Sequence, residues 1–209
     1  MNIQYTKMTK ADYIPVKNLI TDAWFSEYIF PKRTIRLYAN GYLYMYLSEL
    51  DYCMVAKDGD ETIGFIFGRN NNINIFKKLY YKMKLFFVGL QLLMTKSGRR
   101  GIKINRITNK TNKQLYKMSN LKTNCELVLF IVDEKYRGFG VGSSLEKDFC
   151  DYLKQSGKET VYLYTDTYSN FKYYENRGYT RLGELDVDFK IKGEEDDPLP
   201  KYFIYAKNL

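Results

Sequence analysis

At 209 residues, with 45% hydrophobic and 27% charged side chains, the chain suits one large domain, since two would leave each a thin core; no apolar run nears the ~20 residues of a membrane span, no charged-then-apolar leader opens it, and a cytoplasmic protein is expected. Histidine is absent, which excludes Ser-His-Asp and Cys-His catalysis and nearly every common zinc site, and leaves carboxylate, tyrosine, lysine or a relayed water as base. The net charge of +9 is uneven, because Thr62 to Cys125 holds 14 Lys and Arg and no acid, a sign asymmetry that implies an anionic partner or a strongly solvated surface.

Residues 2–8 alternate as a first strand. Thr9 is placed to cap a helix from about Lys10, with Ile14, Leu19, Ala23 and Trp24 toward the core and Pro15 near its start. A second helix is predicted from Lys32 to Ser48, after Pro31. Tyr52 to Ala56 and Thr62 to Gly68 then read as a hairpin around Lys57–Glu61. In the section 70–123, Asn70-Asn71-Asn72 breaks the sheet pattern. Phe76, Leu79, Tyr80, Met83, Phe86, Phe87, Leu90, Leu93 and Met94 follow at helical spacing, with Lys77, Lys78, Lys82 and Lys84 between them, a basic amphipathic helix. Ser97 to Arg100 reads as a loop and Lys113 to Ser119 as a shorter helix, so the whole section reads as an insertion.

From Asn124 the α/β signal is strongest. Glu126 to Val132 is an almost unbroken apolar strand, as in the middle of a sheet. The Gly138–Gly142 turn leads into a helix with Val141, Leu145, Phe149 and Leu153 on one face, closed by Gly157. Thr160 to Thr165 is a strand and Ser169 to Asn176 a short helix ended by Gly178. Tyr179 to Ile191 and Tyr202 to Ala206 are strands joined by an acidic loop, Glu194 to Asp197. Cys53, Cys125 and Cys150 form neither a disulfide framework nor a metal motif and read as buried small apolar residues.

Arg137-Gly138-Phe139-Gly140-Val141-Gly142-Ser143 stands directly after the central strand, at the head of a helix. Glycines there let the backbone approach a bulky ligand and expose successive N–H groups. The helix terminus adds partial positive charge and Arg137 a full one, so the turn reads as an anion cradle. A Walker loop needs Gly-Lys-Ser/Thr, and a dinucleotide fingerprint needs Gly-x-Gly-x-x-Gly with an acid about 20 residues on. The spacing here is Gly-x-Gly-x-Gly, without that lysine, and Asp166 falls later. The plain alternative is a helix entry whose glycines serve close packing alone.

Arg137 to Gly142 resembles the Gln/Arg-x-x-Gly-x-Gly/Ala signature of the GCN5-related N-acetyltransferase (GNAT) superfamily. Thr165 to Tyr179, containing Tyr174-Glu175-Asn176-Arg177-Gly178-Tyr179, resembles the family's second block, which ends in Tyr-Glu-x-x-Gly-aromatic. The two motifs cover 125–183, and the helix–helix–hairpin order before them fits the family more loosely. The resemblance implies one α/β domain over 1–209: a mixed, twisted, largely antiparallel sheet with splayed central strands, flanking helices and a helical insertion at about 70–123. It implies acetyl-CoA as co-substrate and no metal. The pyrophosphate is expected on Arg137, Gly138, Gly140, Gly142 and Ser143, with Phe139 and Val141 completing the turn. The pantetheine arm is expected along the strand ending at Ile131 and Val132, where a backbone N–H would stabilise an oxyanion.

By the same resemblance Tyr174 faces the leaving sulfur as proton donor, and Tyr173 beside it reads as a core tyrosine. Asn170, one helical turn earlier, is a pantetheine contact or a helix cap. The family often has its asparagine three residues earlier, where this chain has Thr167. Glu126 is the candidate general base, or the wet end of a sheet strand. Trp24, Phe25, Tyr28 and Phe30 line the acceptor side or belong to the core. The implied reaction moves an acetyl group from acetyl-CoA to a primary amine of a small molecule or peptide by direct attack in a ternary complex. The alternative is a non-catalytic acyl-CoA-binding module acting through its basic surface. That surface has three readings: a helix packed on the sheet with its lysines in water, a recognition element for an anionic acceptor or the 3′-phosphate of CoA, or a face for nucleic acid or an anionic membrane.

Overall fold

The computed structural model describes residues 2–25, 31–70, 73–187 and 199–209. In chain order the elements are β1 (Ile3–Lys7), α1 (Tyr13–Phe25), α2 (Lys32–Leu47), β2 (Tyr52–Asp58), β3 (Glu61–Arg69), α3 (Ile75–Leu93), α4 (Lys96–Ser119), β4 (Glu126–Val132), α5 (Val141–Gln155), β5 (Thr160–Asp166), α6 (Lys172–Asn176), β6 (Thr180–Asp186) and β7 (Lys201–Asn208). The seven strands make one mixed, mostly antiparallel sheet in the order β1-β2-β3-β4-β5-β7-β6. Among the described strands only β4 and β5 pair in parallel.

The apolar runs of β3 and β4 follow from cover on both faces of the sheet. Phe65 and Phe67 share a core with Val16 and Ile20 of α1 and Leu43 and Leu47 of α2. Ile63, Ile66 and Leu127 share another with Leu145, Phe149 and Leu153 of α5. The α5 residues recur at i, i+4, one stripe of a helix, and burying each is worth roughly 1.5–3 kcal/mol. Gly68 is set by this packing: a Cβ there would come within 2.2 Å of the Phe149 ring. The same helix buries one charge. Glu146 is fully buried and accepts from Arg177 Nε at 2.7 Å and Lys207 Nζ at 2.9 Å, which ties α5 to the end of α6 and to β7.

Several expectations need correction. The first helix begins at Tyr13, three residues late, because Asp12 takes the Thr9 N–H at 2.7 Å and the Thr9 hydroxyl at 2.8 Å and closes a tight 3-10 turn, Lys10–Asp12. The buried stripe is therefore Val16, Leu19 and Ile20, and Ile14 is 66% exposed; Ala23 is exposed as well. The hairpin turn is shorter than read, since the strands continue to Asp58 and resume at Glu61, with Gly59 at φ 61°. Ser97 to Arg100 is not a loop but the first turns of α4, and Lys113 to Ser119 is the end of that same helix. Thr95 caps it by accepting from the Gly98 N–H at 3.0 Å. Two glycines of α4 are contact points: a Cβ on Gly98 would lie 2.0 Å from the Leu92 carbonyl oxygen, and one on Gly101 would lie 2.2 Å from the Tyr38 hydroxyl.

α3 forms as the spacing predicts, but it does not lie on the sheet. It packs on α2 and α4, with Tyr81, Val88 and Leu92 as its buried residues. Cys125 and Cys150 are buried, whereas Cys53 is half-buried. The expected strand beyond Val187 and the acidic loop Glu194–Asp197 lie outside the described residues, as do Tyr28, Phe30 and the Phe25 side chain. No described helix is long and apolar enough to cross a membrane.

Candidate active site

The sheet opens between β4 and β5. Their pairing lasts two residues, Glu126 with Tyr162 and Leu127 with Leu163, while β4 runs on to Val132 and β5 to Asp166. Past Leu127 one edge of β4 stays paired to β3 as far as Val132 opposite Gly64. The other edge borders a cleft of about 1130 Å³, which both sides of the split line. Backbone N–H and C=O groups on such an edge must be satisfied by water or by a ligand, and an extended, amide-bearing chain can pair with them as an added strand.

The cradle sits at the far end of this edge. Gly140 is the N-cap of α5 with φ 80°, and Gly138 has φ 85°, conformations that cost L side chains energy. A Cβ on either would meet nothing within 4 Å, so these glycines do not serve packing. Gly142 does serve it, because a Cβ there would be 2.8 Å from the Phe130 ring. Among the described residues no backbone acceptor takes the N–H groups of 138–143; the first one satisfied is Ser144, on the Gly140 carbonyl. Unpaired amides, a helix N-terminus and open space make an anion site. Arg137 is loosely held, its Nε 3.4 Å from the Val132 carbonyl and its NH1 3.9 Å from Glu134, and at 63% exposed its guanidinium can take a charge. The fit is supported from inside: the Tyr173 hydroxyl is buried there with no well-formed hydrogen bond. Tyr173, read as core from the sequence, lines the cleft.

Glu126 lies at the other end of β4, six residues from Val132 and thus roughly 20 Å along the strand. It is buried, and its Oε2 accepts from the Tyr162 hydroxyl at 3.2 Å and faces Arg69 NH1 at 3.4 Å. Arg69 reaches Glu49 through its other terminal nitrogen at 3.0 Å. Burial raises the Glu126 carboxyl above its ordinary range, against the opposing pull of Arg69 and Tyr162. A carboxylate so placed is a stronger base than one in water. Tyr174 lines the same cleft, its ring held edge-on by Tyr173 and Tyr179 at 5.4 and 5.7 Å. Burial raises its phenol, so at neutral pH it keeps its proton and can act as an acid.

The cleft brings together Glu126, Ile131, Val132, Arg137, Gly138, Gly140, Val141, Gly142, Ser143, Asn170 and Tyr174. Phe139 is 61% exposed and stands outside this lining. Sequence reasoning missed the far wall: Tyr42, Tyr46 and Glu49 at the end of α2, Arg69 on β3, and Arg100, Asn105 and Asn109 on α4. Trp24 joins it by an edge contact with Tyr42 at 5.0 Å. The one local signal was Arg69, a charge closing the apolar run of β3; the others come from turns of helices distant in sequence.

The family model described as Acetyltransferase (GNAT) family matches residues 16–179. Three crystal structures illustrate the likeness of fold. They are an N-acetyltransferase from Staphylococcus aureus Mu50, with TM-score 0.57 and 15% identity over 100% of this chain and 99% of that one; Ard1 from Thermoplasma volcanium, with 0.55 and 15% over 100% and 99%; and PaiA N-acetyltransferase from Thermoplasma acidophilum in complex with coenzyme A, with 0.53 and 14% over 100% of both. At these identities the likeness concerns the fold alone. A search of curated protein sequences gave no significant match.

Proposed function

Because the chain belongs to the GNAT family of acetyltransferases, we propose that it moves an acetyl group from acetyl-CoA to a primary amine within one ternary complex. The observation that carries this reading is the two-residue pairing of β4 and β5, which leaves a long open edge between a cradle of unpaired amides and a buried carboxylate. A ligand spanning it needs an anionic head, an extended amide arm of roughly 20 Å and a reactive tip, and CoA has all three. The crystal structure of the PaiA enzyme with coenzyme A supports the same assignment. Acetyl-CoA supplies the thioester acyl group.

The chain's own residues do the rest. Arg137 and the N–H groups of Gly138, Gly140, Val141, Gly142 and Ser143 hold the pyrophosphate, and the arm runs along β4 past Ile131, which pairs with β3, to meet the N–H of Val132 on the open edge; Asn170 flanks it. Glu126 takes the proton that an incoming ammonium must lose before its nitrogen can attack. Tyr174 gives its proton to the sulfur as it leaves. The acceptor enters past Trp24, Tyr42, Tyr46 and Arg100, so α4 forms part of its wall. We read 1–209 as a single domain in which the section 70–123 is the insertion that supplies this wall.

Thiol release from acetyl-CoA against a panel of small amines, peptides and polyamines tests the reading; coenzyme binding without release under any amine would favour the non-catalytic module. Tyr174→Phe is expected to lower kcat only about tenfold with KM unchanged, because a thiolate with pKa ~8.5 leaves readily without help. Gly140→Ala is expected to weaken CoA about tenfold by calorimetry, since its methyl enters the cradle and strains a positive-φ backbone. An unchanged Kd would remove Gly140 from the site.

A further inference from the structure

Ten of the sixteen large apolar side chains that stand exposed among the described residues lie between Ile75 and Met94. They are not scattered. Phe76, Leu79, Met83, Phe86, Leu90 and Leu93 recur at intervals of three and four, one continuous stripe of α3, and their exposure runs from 45 to 79%. Tyr81, Val88 and Leu92 occupy the opposite stripe and face the protein. The helix thus shows water the face that amphipathic helices hide.

Its borders are basic. By helical geometry Lys84 flanks one side of the exposed stripe, and Lys78 and Lys82 flank the other. Lys84 lies 4.7 Å over the Tyr80 ring. Lys96 and Arg99 stand exposed just beyond the C-terminal end. The section from Thr62 to Cys125 contains no acid that could neutralise them. An apolar patch of this extent on a free monomer marks an interaction surface.

We infer that α3 seats the protein on an anionic phospholipid surface, its axis in the membrane plane. A central apolar stripe with lysines on both flanks matches acyl chains below and anionic headgroups beside it. Burial of the opposite stripe against α2 and α4, together with the lysines, excludes a spanning role for this helix. A second copy docked face to face would set the Lys78 and Lys82 rows against like charge, and the polar backbone of a nucleic acid offers no apolar partner to Leu79, Met83, Leu90 and Leu93.

The test is co-sedimentation with vesicles of phosphatidylcholine alone and of phosphatidylcholine with about one-third phosphatidylglycerol. The protein is expected to bind the anionic vesicles, more weakly as salt rises, and to leave the neutral ones largely free. Phe86→Ser with Leu90→Ser, and separately Lys82→Glu with Lys96→Glu, should each weaken binding at least about tenfold, with melting temperature unchanged because all four side chains stand exposed. Absence of binding to anionic vesicles overturns the inference. So does a dimer in sedimentation velocity that the Phe86/Leu90 pair abolishes while vesicles are ignored, which would assign the face to a second copy. Tighter binding to RNA than to anionic vesicles, lost with the lysine pair, would likewise overturn it.

Discussion

Glu126→Gln is expected to lower kcat/KM for the amine by about 10²–10⁴, the range general-base catalysis supplies, while leaving CoA affinity within about twofold. The substitution keeps the shape of the side chain, so it removes the base without opening a cavity. Burial raises the Glu126 carboxyl, and a base must be deprotonated to act. The rate therefore rises with pH through a point above the ordinary carboxylate range, and this limb is absent in the variant. Arg69, 3.4 Å from the carboxylate, sets how far that point moves. Removing Arg69 leaves only the Tyr162 hydrogen bond to oppose burial and shifts the limb to higher pH. A variant that keeps wild-type kcat/KM and the same limb would mean that another group takes the proton.

Glu146→Ala is expected to cost about 3 kcal/mol of stability, near the low end for breaking a buried ion pair. Glu146 has no exposed surface and accepts from both Arg177 and Lys207. The two cations are 34% and 24% exposed, so they regain water when the carboxylate goes, which keeps the loss from rising further. In a chain of 209 residues that corresponds to a fall in Tm of about 6–12 °C. Glu146→Gln should fall between, because an amide still fills the space and accepts one hydrogen bond. A Tm within a degree or two of wild type would show that the buried charge contributes nothing net.

The parts of the site legible in the sequence are those built from neighbours in the chain. A helix N-terminus with glycines in αL conformation must be written in consecutive residues, so the Arg137–Ser143 cradle and the Tyr174 block could be read directly. The far wall could not. Glu49, Arg69 and Arg100 come from three elements, and their meeting is a product of packing. Periodicity also misled in two instructive ways. It gave α3 its amphipathic pattern but not which stripe meets the protein, since spacing is the same for a buried face and an exposed one. Ser97 to Arg100 read as a loop, although it is helix, where Gly98 and then Gly101 let the Leu92 carbonyl and the Tyr38 ring approach α4. Ile14 failed for a local reason: the Thr9–Asp12 turn delays the helix to Tyr13, and Val16, Leu19 and Ile20 meet the core while Ile14, in its first turn, stays in water.

Titration of the amide spectrum with CoA probes the coenzyme assignment at its weakest joint, since each N–H of the bend reports separately. The amides of Gly138, Gly140, Gly142 and Ser143 are predicted to shift most, saturating together with that of Val132. Coenzyme that binds while these resonances stay in place, or that leaves the whole spectrum unmoved, would contradict the account.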